Sequence, residues 1–392
     1  MAVDPETGMA PAPRRRGLRT GFTTGACAAA ATRGACLGLR GQRSASVELP
    51  LPAGFTATFA LASLDVTGES ARASVIKDAG DDPDVTHGAE IRAEVDLEAA
   101  IPSCVSTEWA VLEPGSVARR LAAGSTIRLR AGEGVGIVTR PGLGLPVGGP
   151  AINPVPRRMI ARSVREALTD PPPMVSVTVG IRDGARLALR TLNARLGIEG
   201  GLSILGTTGV VRPYSTASWR ASVLQGVDVA AAAGLQEIVA STGGRSESYA
   251  RTIIRLPDPA FVEMGEFTGQ LLRRARDRGL RVVHLAGMVG KLSKIACGHL
   301  MTHVAGSQVN LAYLGSVAER AGADAETVRR VRRANTARHV QEIITTAHGV
   351  SAFFDLVCAD VVVACRAHAG PAPEVRALLF DFEGALLGRS PR

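Results

Sequence analysis

The chain has only three lysines, Lys77, Lys291 and Lys294, against 42 arginines. A protein that takes its positive charge from arginine keeps lysine where a compact ammonium is needed, and all three fall in segments with other chemistry-bearing residues. Aromatic residues are 4% of the chain, which leaves little surface on which to stack bases. No long basic stripe accompanies the net charge of +9, so nucleic acid is disfavoured as a partner. A small ligand rich in carboxylates or phosphates satisfies the same charge. No apolar run reaches membrane-spanning length; the longest candidate, 223–239, carries Gln225, Asp228, Gln236 and Glu237. The first sixteen residues, MAVDPETGMAPAPRRR, lack the apolar core of a secretory signal and read as part of a disordered extension over 1–17. Six cysteines form no CxxC pair and are too sparse for a disulfide framework, so a cytoplasmic location is expected.

What the chain does have is concentrated acid. In residues 75–88, VIKDAGDDPDVTHG, an apolar run ends in Lys77 and is followed by Asp78, Asp81, Asp82, Asp84 and His87. Gly80, Pro83 and Gly88 disfavour a helix there and predict a turn on the end of a strand. Like charges so close repel one another, a cost offset where they meet a cation, a proton or a polar ligand. These five side chains are therefore candidate catalytic residues. Carboxylates that cap their own turn are the simpler alternative. The spacing does not fit a calcium loop, which needs glycine at its sixth position and glutamate at its twelfth.

Residues 24–39, TGACAAAATRGACLGL, predict a helix of small residues capped by Thr23 or Thr24. Such a helix is thin enough either to pack tightly on a sheet or to let a flat ligand lie against it, and its first amides are open to an anion. Strands are expected at 46–49, 56–61, 71–76 and 90–95, with a hairpin joining 126–129 to 135–138. A helix over 155–168 carries Arg157 and Arg158 in its first turn, where positive charge opposes the helix dipole unless an anion sits there. Beyond 171–173, strands at 175–179, 202–205, 237–240 and 281–286 alternate with helices at 215–233, 246–254 and 266–278. Further helices at 308–321, 325–333, 336–346 and 351–367 precede a closing strand at 375–380. The expected fold combines α/β and α+β: an N-terminal mixed α+β domain over 18–180 with the Asp-rich turn, then a doubly wound, mostly parallel α/β domain over 181–392.

In a parallel sheet, ligands bind beyond the carboxyl ends of the strands. Two turns expected there, Gly206-Thr207-Thr208-Gly209 and Ser241-Thr242-Gly243-Gly244, are candidate cofactor-binding loops. A third strand end leads to Lys291. None of the three matches GxGxxG or GxxxxGK[ST], which disfavours standard dinucleotide and ATP binding. Residues 291–303, KLSKIACGHLMTH, offer a basic patch of Lys291, Lys294 and His303. His299 and His303 share a helix face only if the helix runs through Gly298, and no second ligand pair supports zinc.

RTGFTTGACAAAA (19–31), VIKDAGDDPDVTHG (75–88), GEGVGIVTRPGL and GGPAINPVPRRMI (132–160), RLGIEGGLSILGTTGVVRPYS (195–215), STGGRSE (241–247) and GKLSKIACGHLMTH (290–303) resemble, in order, the signature segments of the cobalt-precorrin-5B C(1)-methyltransferase family. The resemblance spans about residues 18–388. It implies methyl transfer from S-adenosylmethionine to carbon 1 of cobalt-precorrin-5B, giving cobalt-precorrin-6A in anaerobic cobalamin biosynthesis. The substrate is a cobalt-containing polycarboxylate tetrapyrrole that brings its own metal, so no protein-bound metal is expected. Its carboxylate rim suits Arg157, Arg158, Arg212, Lys291 and Lys294, guanidinium forks matching carboxylates especially well. Thr23, Thr24, Asn153 and His303 lie in the same matching segments and are assigned to substrate with them. The acidic turn would attract the cationic donor, His87 or Asp78 would manage a proton, and the loops at 206–209 and 241–244 would take the adenosine or a substrate carboxylate. A homo-oligomer is compatible with this reading; a membrane partner is not. Outside the resemblance, the alternatives are a nucleotide-dependent phosphoryl-transfer enzyme and a nucleic-acid-binding protein.

Overall fold

The computed structural model of the chain describes residues 17–98, 106–121, 125–169, 171–302 and 308–391. All but the last residue of the expected extension, together with Cys104 and His303, lie outside them. The chain divides into two compact units, Met1–Thr139 with Gly144–Ser215, and Arg140–Leu143 with Thr216–Arg392. The division after Ser215 replaces the one expected after residue 180.

The first unit contains β1 (Gly21–Phe22), α1 (Thr24–Leu39), β2 (Ser46–Pro50), β3 (Thr56–Ala60), β4 (Ser63–Thr67), β5 (Ser70–Ile76), β6 (Glu90–Glu98), β7 (Ala110–Glu113), β8 (Ser116–Arg120), β9 (Thr126–Ala131) and β10 (Ile137–Val138). It continues with α2 (Pro154–Ala167), β11 (Met174–Ile181), α3 (Gly184–Ala188), β12 (Ile198–Glu199) and β13 (Val210–Val211). Its main sheet runs β4-β5-β6-β11-β9-β8-β7, antiparallel except where β9 lies beside β11. Period-two alternation turns Ile91, Ala93 and Val95 of β6 inward, against α1. Every residue of α1 from Thr24 to Ala31 is buried. The small residues are what allow this: a Cβ at Gly25 would stand 2.6 Å from Pro156 Cγ, and one at Gly34 2.8 Å from Leu61 Cδ1. Tight packing, not an open face for a flat ligand, explains this helix.

Two expected elements differ. The run 135–138 does not form a hairpin with 126–129; β10 pairs with β12, while β9 lies between β8 and β11. Residues 202–205 are not a strand of a parallel sheet, because Leu202 and Ile204 make only single bridges to Val135 and Ile152 of the first unit.

The second unit contains α4 (Thr216–Ala232), β14 (Glu237–Ser241), α5 (Gly244–Ile253), β15 (Phe261–Glu263), α6 (Thr268–Asp277), β16 (Val282–Met288), α7 (Val289–Ala296), α8 (Leu311–Arg320), α9 (Ala325–Arg332), α10 (Ala337–Thr346), α11 (Phe353–Ala369), β17 (Glu374–Phe380) and β18 (Leu386–Arg389). Its sheet runs β15-β14-β16-β17-β18, parallel throughout except for β18 at the edge. Alternate side chains fill two cores. Val239, Phe261, Ala286 and Phe380 pack with Ala250 of α5, while Ile238, Ala240, Val283, Leu285 and Leu379 pack with residues of α6, α7 and α11. Among the described residues no helix is long and apolar enough to cross a membrane.

Candidate active site

The acidic turn grows from the end of β5. Lys77 N–H donates to Ala89 O at 2.9 Å and Gly88 N–H returns to Lys77 O at 2.8 Å, which closes the turn at its base. The Lys77 side chain is 1% exposed, and its Nζ donates to Asp84 Oδ2 at 2.6 Å. Asp84 Oδ1 accepts from both the amide and the hydroxyl of Thr86, at 2.8 and 2.6 Å. Burial works against ionising Asp84, but the Lys77 ammonium and the Thr86 donors outweigh it and hold the carboxyl below its usual range.

The other three carboxylates are also engaged. Asp78 accepts from the Arg19 guanidinium and from Gly80 N–H at 2.9 Å, and the Arg19 contact is the main reason its pKa falls. Asp81 Oδ2 accepts Arg19 N–H at 2.6 Å, and Asp82 Oδ1 accepts Tyr214 N–H at 2.9 Å. The like charges are tolerated because each has its own cation or amide. Among the described residues, no three His, Cys, Asp or Glu side chains are grouped to hold a metal ion.

His87 Nδ1 accepts Ala79 N–H at 3.1 Å. In the neutral ring that contact places the proton on Nε2, so the half-exposed edge of His87 offers a donor and its one lone pair is occupied. Of the two residues expected to manage a proton, Asp78 is held by Arg19 and Gly80, and His87 keeps its Nε2 edge open.

Thr23, Thr24 and the 206–209 loop form one junction in the first unit. Thr23 Oγ1 caps α1 through Ala26 N–H at 3.2 Å, and Thr23 N–H donates to Gly209 O at 3.0 Å. Thr24 Oγ1 accepts Leu205 N–H at 3.0 Å. Gly206, Thr207, Thr208 and Gly209 therefore lie against the start of α1, not at the edge of a parallel sheet. Asn153 precedes α2 without a side-chain cap, and its N–H donates to Ile204 O at 2.9 Å.

Arg157 turns inward. It is 2% exposed, donates through Nε to Ile152 O at 2.7 Å and through Nη2 to Pro150 O at 3.4 Å, and lies 5.6 Å from the Trp109 ring centre. Burial alone lowers its pKa to about 10. It ties the Gly/Pro loop to α2 and is not open to a ligand. Arg157→Met is expected to cost about 2 kcal/mol in urea unfolding, because two buried carbonyls lose their donor. Arg158 and Arg212 are exposed and make no hydrogen bond or ion pair among the described residues.

In the second unit, the chain leaves β14 for β15 on one side and returns to β16 on the other. The strand order thus reverses at β14, and the tips of β14 and β16 flank the switch point where open α/β sheets hold ligands. Ser241 ends β14 with 0% exposure, and its hydroxyl has no hydrogen-bond partner among the described residues. Thr242 N–H donates to Ala286 O at 2.9 Å, and Gly243 starts α5 without a side-chain cap. A Cβ at Gly243 would meet nothing within 4 Å. On α7, Lys291 Nζ donates to Thr302 O at 3.2 Å. Lys294, 6% exposed, makes no hydrogen bond among the described residues, and burial followed by the Lys291 charge lowers its pKa. The helix ends at Ala296, with Gly298 at φ 83, so His299 is not on its face.

A family model described as CbiD matches residues 12–213, and one described as CbiD, C-terminal domain, matches 301–391. A curated relative from Thermus thermophilus is 48% identical over 384 residues, covering 97% of each chain. One from Salinispora tropica is 48% identical over 370 residues, covering 94% of this chain and 91% of its own, and one from a Geobacillus species is 44% identical, covering 96% and 98%. All three are named cobalt-precorrin-5B C(1)-methyltransferase. The chain belongs to this family. It is a methyltransferase. A solved structure of a cobalamin biosynthesis protein (cbiD) from Archaeoglobus fulgidus is 25% identical, covers 72% of this chain and 81% of its own, and superposes with a TM-score of 0.36.

Within the family's matched segments, sequence reasoning missed Arg19, the partner of both Asp78 and Asp81. The arginine that opens RTGFTTG carries no local sign of a partner some sixty residues away. Glu263, at the tip of β15 and about 20 residues beyond a strand-end glycine turn, was not singled out from sequence.

Proposed function

We propose that the chain methylates carbon 1 of cobalt-precorrin-5B with S-adenosylmethionine, giving cobalt-precorrin-6A in cobalamin biosynthesis. The observation that carries the reading is the match along nearly the full length to relatives bearing that name. S-adenosylmethionine supplies an electrophilic methyl on a cationic sulfur. The residues at the β14 tip suit its nucleoside: an open glycine turn, amides of an uncapped helix start and an orphaned buried hydroxyl.

Most of the rate should come from alignment, because the methyl, the attacking carbon and the leaving sulfur must be collinear. Asp81, exposed on the acidic turn, supplies negative charge for the cationic donor. Arg158 and Arg212, free among the described residues, are assigned to carboxylates of the substrate rim, and Lys291 and Lys294 are basic candidates of the second unit taken by itself. Thr207, exposed beside Thr23 and Thr24, is assigned to substrate as well. His87, half-exposed on the same turn, is assigned a hydrogen bond to substrate through its Nε2 edge.

Titration of the full chain should show binding of S-adenosylmethionine and its demethylated product, and none of a DNA duplex or of ATP with magnesium. Magnesium-dependent ATP binding would overturn the reading in favour of phosphoryl transfer. Asp81→Asn is expected to cut turnover about tenfold, or 1.4 kcal/mol of barrier, without loss of stability, since the amide oxygen still accepts Arg19 N–H. Unchanged turnover removes this turn from the reaction.

A further inference from the structure

We infer that Glu263 recognises the ribose diol of the methyl donor at the turn between β14 and α5, an inference that rests on the donor reading above. In the parallel ladder Ser241 stands opposite Glu263. Alternation puts both on the face of Val239 and Phe261, the face covered by α5. The Glu263 carboxylate thus lies beside the glycine turn, its Oε2 3.9 Å from where a Cβ on Gly244 would stand. Glu263 is half-buried and makes no hydrogen bond or ion pair among the described residues. The fully buried Ser241 hydroxyl, also without a partner there, sits on the same face beneath the first turn of α5.

The charge of this turn selects the ligand class. A helix start ordinarily welcomes a phosphate. Here the first turn of α5 already holds Glu247, bonded to Arg251 at 3.1 Å, and Glu263 adds a second carboxylate alongside. Glu247 is paired with Arg251, and a phosphate placed there meets the Glu263 carboxylate, which makes no ion pair among the described residues. A vicinal diol instead gives the Glu263 carboxylate two hydrogen bonds at once, and a sulfonium on the same nucleoside is attracted to it. A phosphate-free, cationic nucleoside fits where a nucleotide does not.

The test is calorimetric titration of the full chain with S-adenosylhomocysteine and its 2′-deoxy analogue. Wild type is expected to bind the ribo form about tenfold or more tighter than the 2′-deoxy form. Glu263→Ala should lose that preference, and Glu263→Gln, which keeps one acceptor, should retain part of it. A preference absent from wild type, or undiminished in Glu263→Ala, overturns the inference; the wild-type comparison needs no variant to fold. If wild type binds neither ligand, the donor reading falls and takes this inference with it. Binding that ignores the 2′-hydroxyl sinks the Glu263 assignment alone.

Discussion

Lys77→Met is expected to lower the unfolding free energy by about 3 kcal/mol, the low end for breaking a buried ion pair, because Asp84 keeps some access to water. The ammonium it removes is 1% exposed and 2.6 Å from Asp84 Oδ2. Methionine fills the channel of the lysine stem, so little of the loss comes from packing. Most of it comes from a carboxylate left in a half-buried site with only the Thr86 donors. Adding Asp84→Asn should therefore recover part of the stability, since the uncompensated charge goes and the side-chain oxygen still accepts from Thr86.

The pH dependence has a definite sign. Asp84 is held below its usual 3.8, so its stabilisation is present above that value and is lost as pH falls through the lower folded-state pKa. In Lys77→Met the same carboxyl has lost its cation, and protonation relieves the variant. The gap between wild type and variant in urea midpoints should narrow on acidification from pH 7 to about 4. A gap that stays constant would show that the pair contributes nothing through charge.

This pair also shows what a sequence can and cannot say about the acidic turn. Glycine and proline spacing was enough to predict a turn on the end of β5. The partners of its carboxylates were only partly legible, because Lys77, Thr86 and the Gly80 amide are local and the others are not. Arg19 comes from a segment far upstream, and the amide of Tyr214 from one far downstream. Seen without them, four aspartates looked like charge waiting for a ligand, when much of their role is to fasten the turn.

Regular elements were easier. The helix at 24–39 and the strands that became β14, β16 and β17 follow from patterns that hold over many residues. The run 202–205 misled for the opposite reason: three apolar residues and a serine before a glycine turn look the same whether they extend a parallel sheet or make two isolated bridges. The loop at 206–209 was misplaced with it. The turn at 241–244 was legible because a five-residue strand precedes it and a ten-residue helix follows.

The crossing of 19–22 over 78–81 leads to the second large effect. A Cβ at Gly21 would stand 2.1 Å from Ala79 C and 2.3 Å from Gly80 N, both backbone atoms that no side-chain rotation can clear. Gly80 faces back with φ 68, and its own Cβ would stand 2.2 Å from Arg19 O. Two glycines in contact let the strands close to hydrogen-bond range, with Phe22 N–H on Asp78 O at 2.7 Å and Asp81 N–H on Arg19 O at 3.0 Å. Gly21→Ala must force them apart. The expected cost is about 3 kcal/mol or more, the class of backbone conflicts that packing cannot absorb. Amide exchange at Phe22 and Asp81 should rise sharply while β6, deep in the main sheet, keeps its protection. Turnover should fall at least about tenfold, because the same crossing fixes Asp81 and carries the strain into Thr23 and the 206–209 loop. An alanine variant with normal exchange at Phe22 and normal turnover would mean that the crossing is looser than its contacts imply, and that the acidic turn is not held by the segment that begins α1.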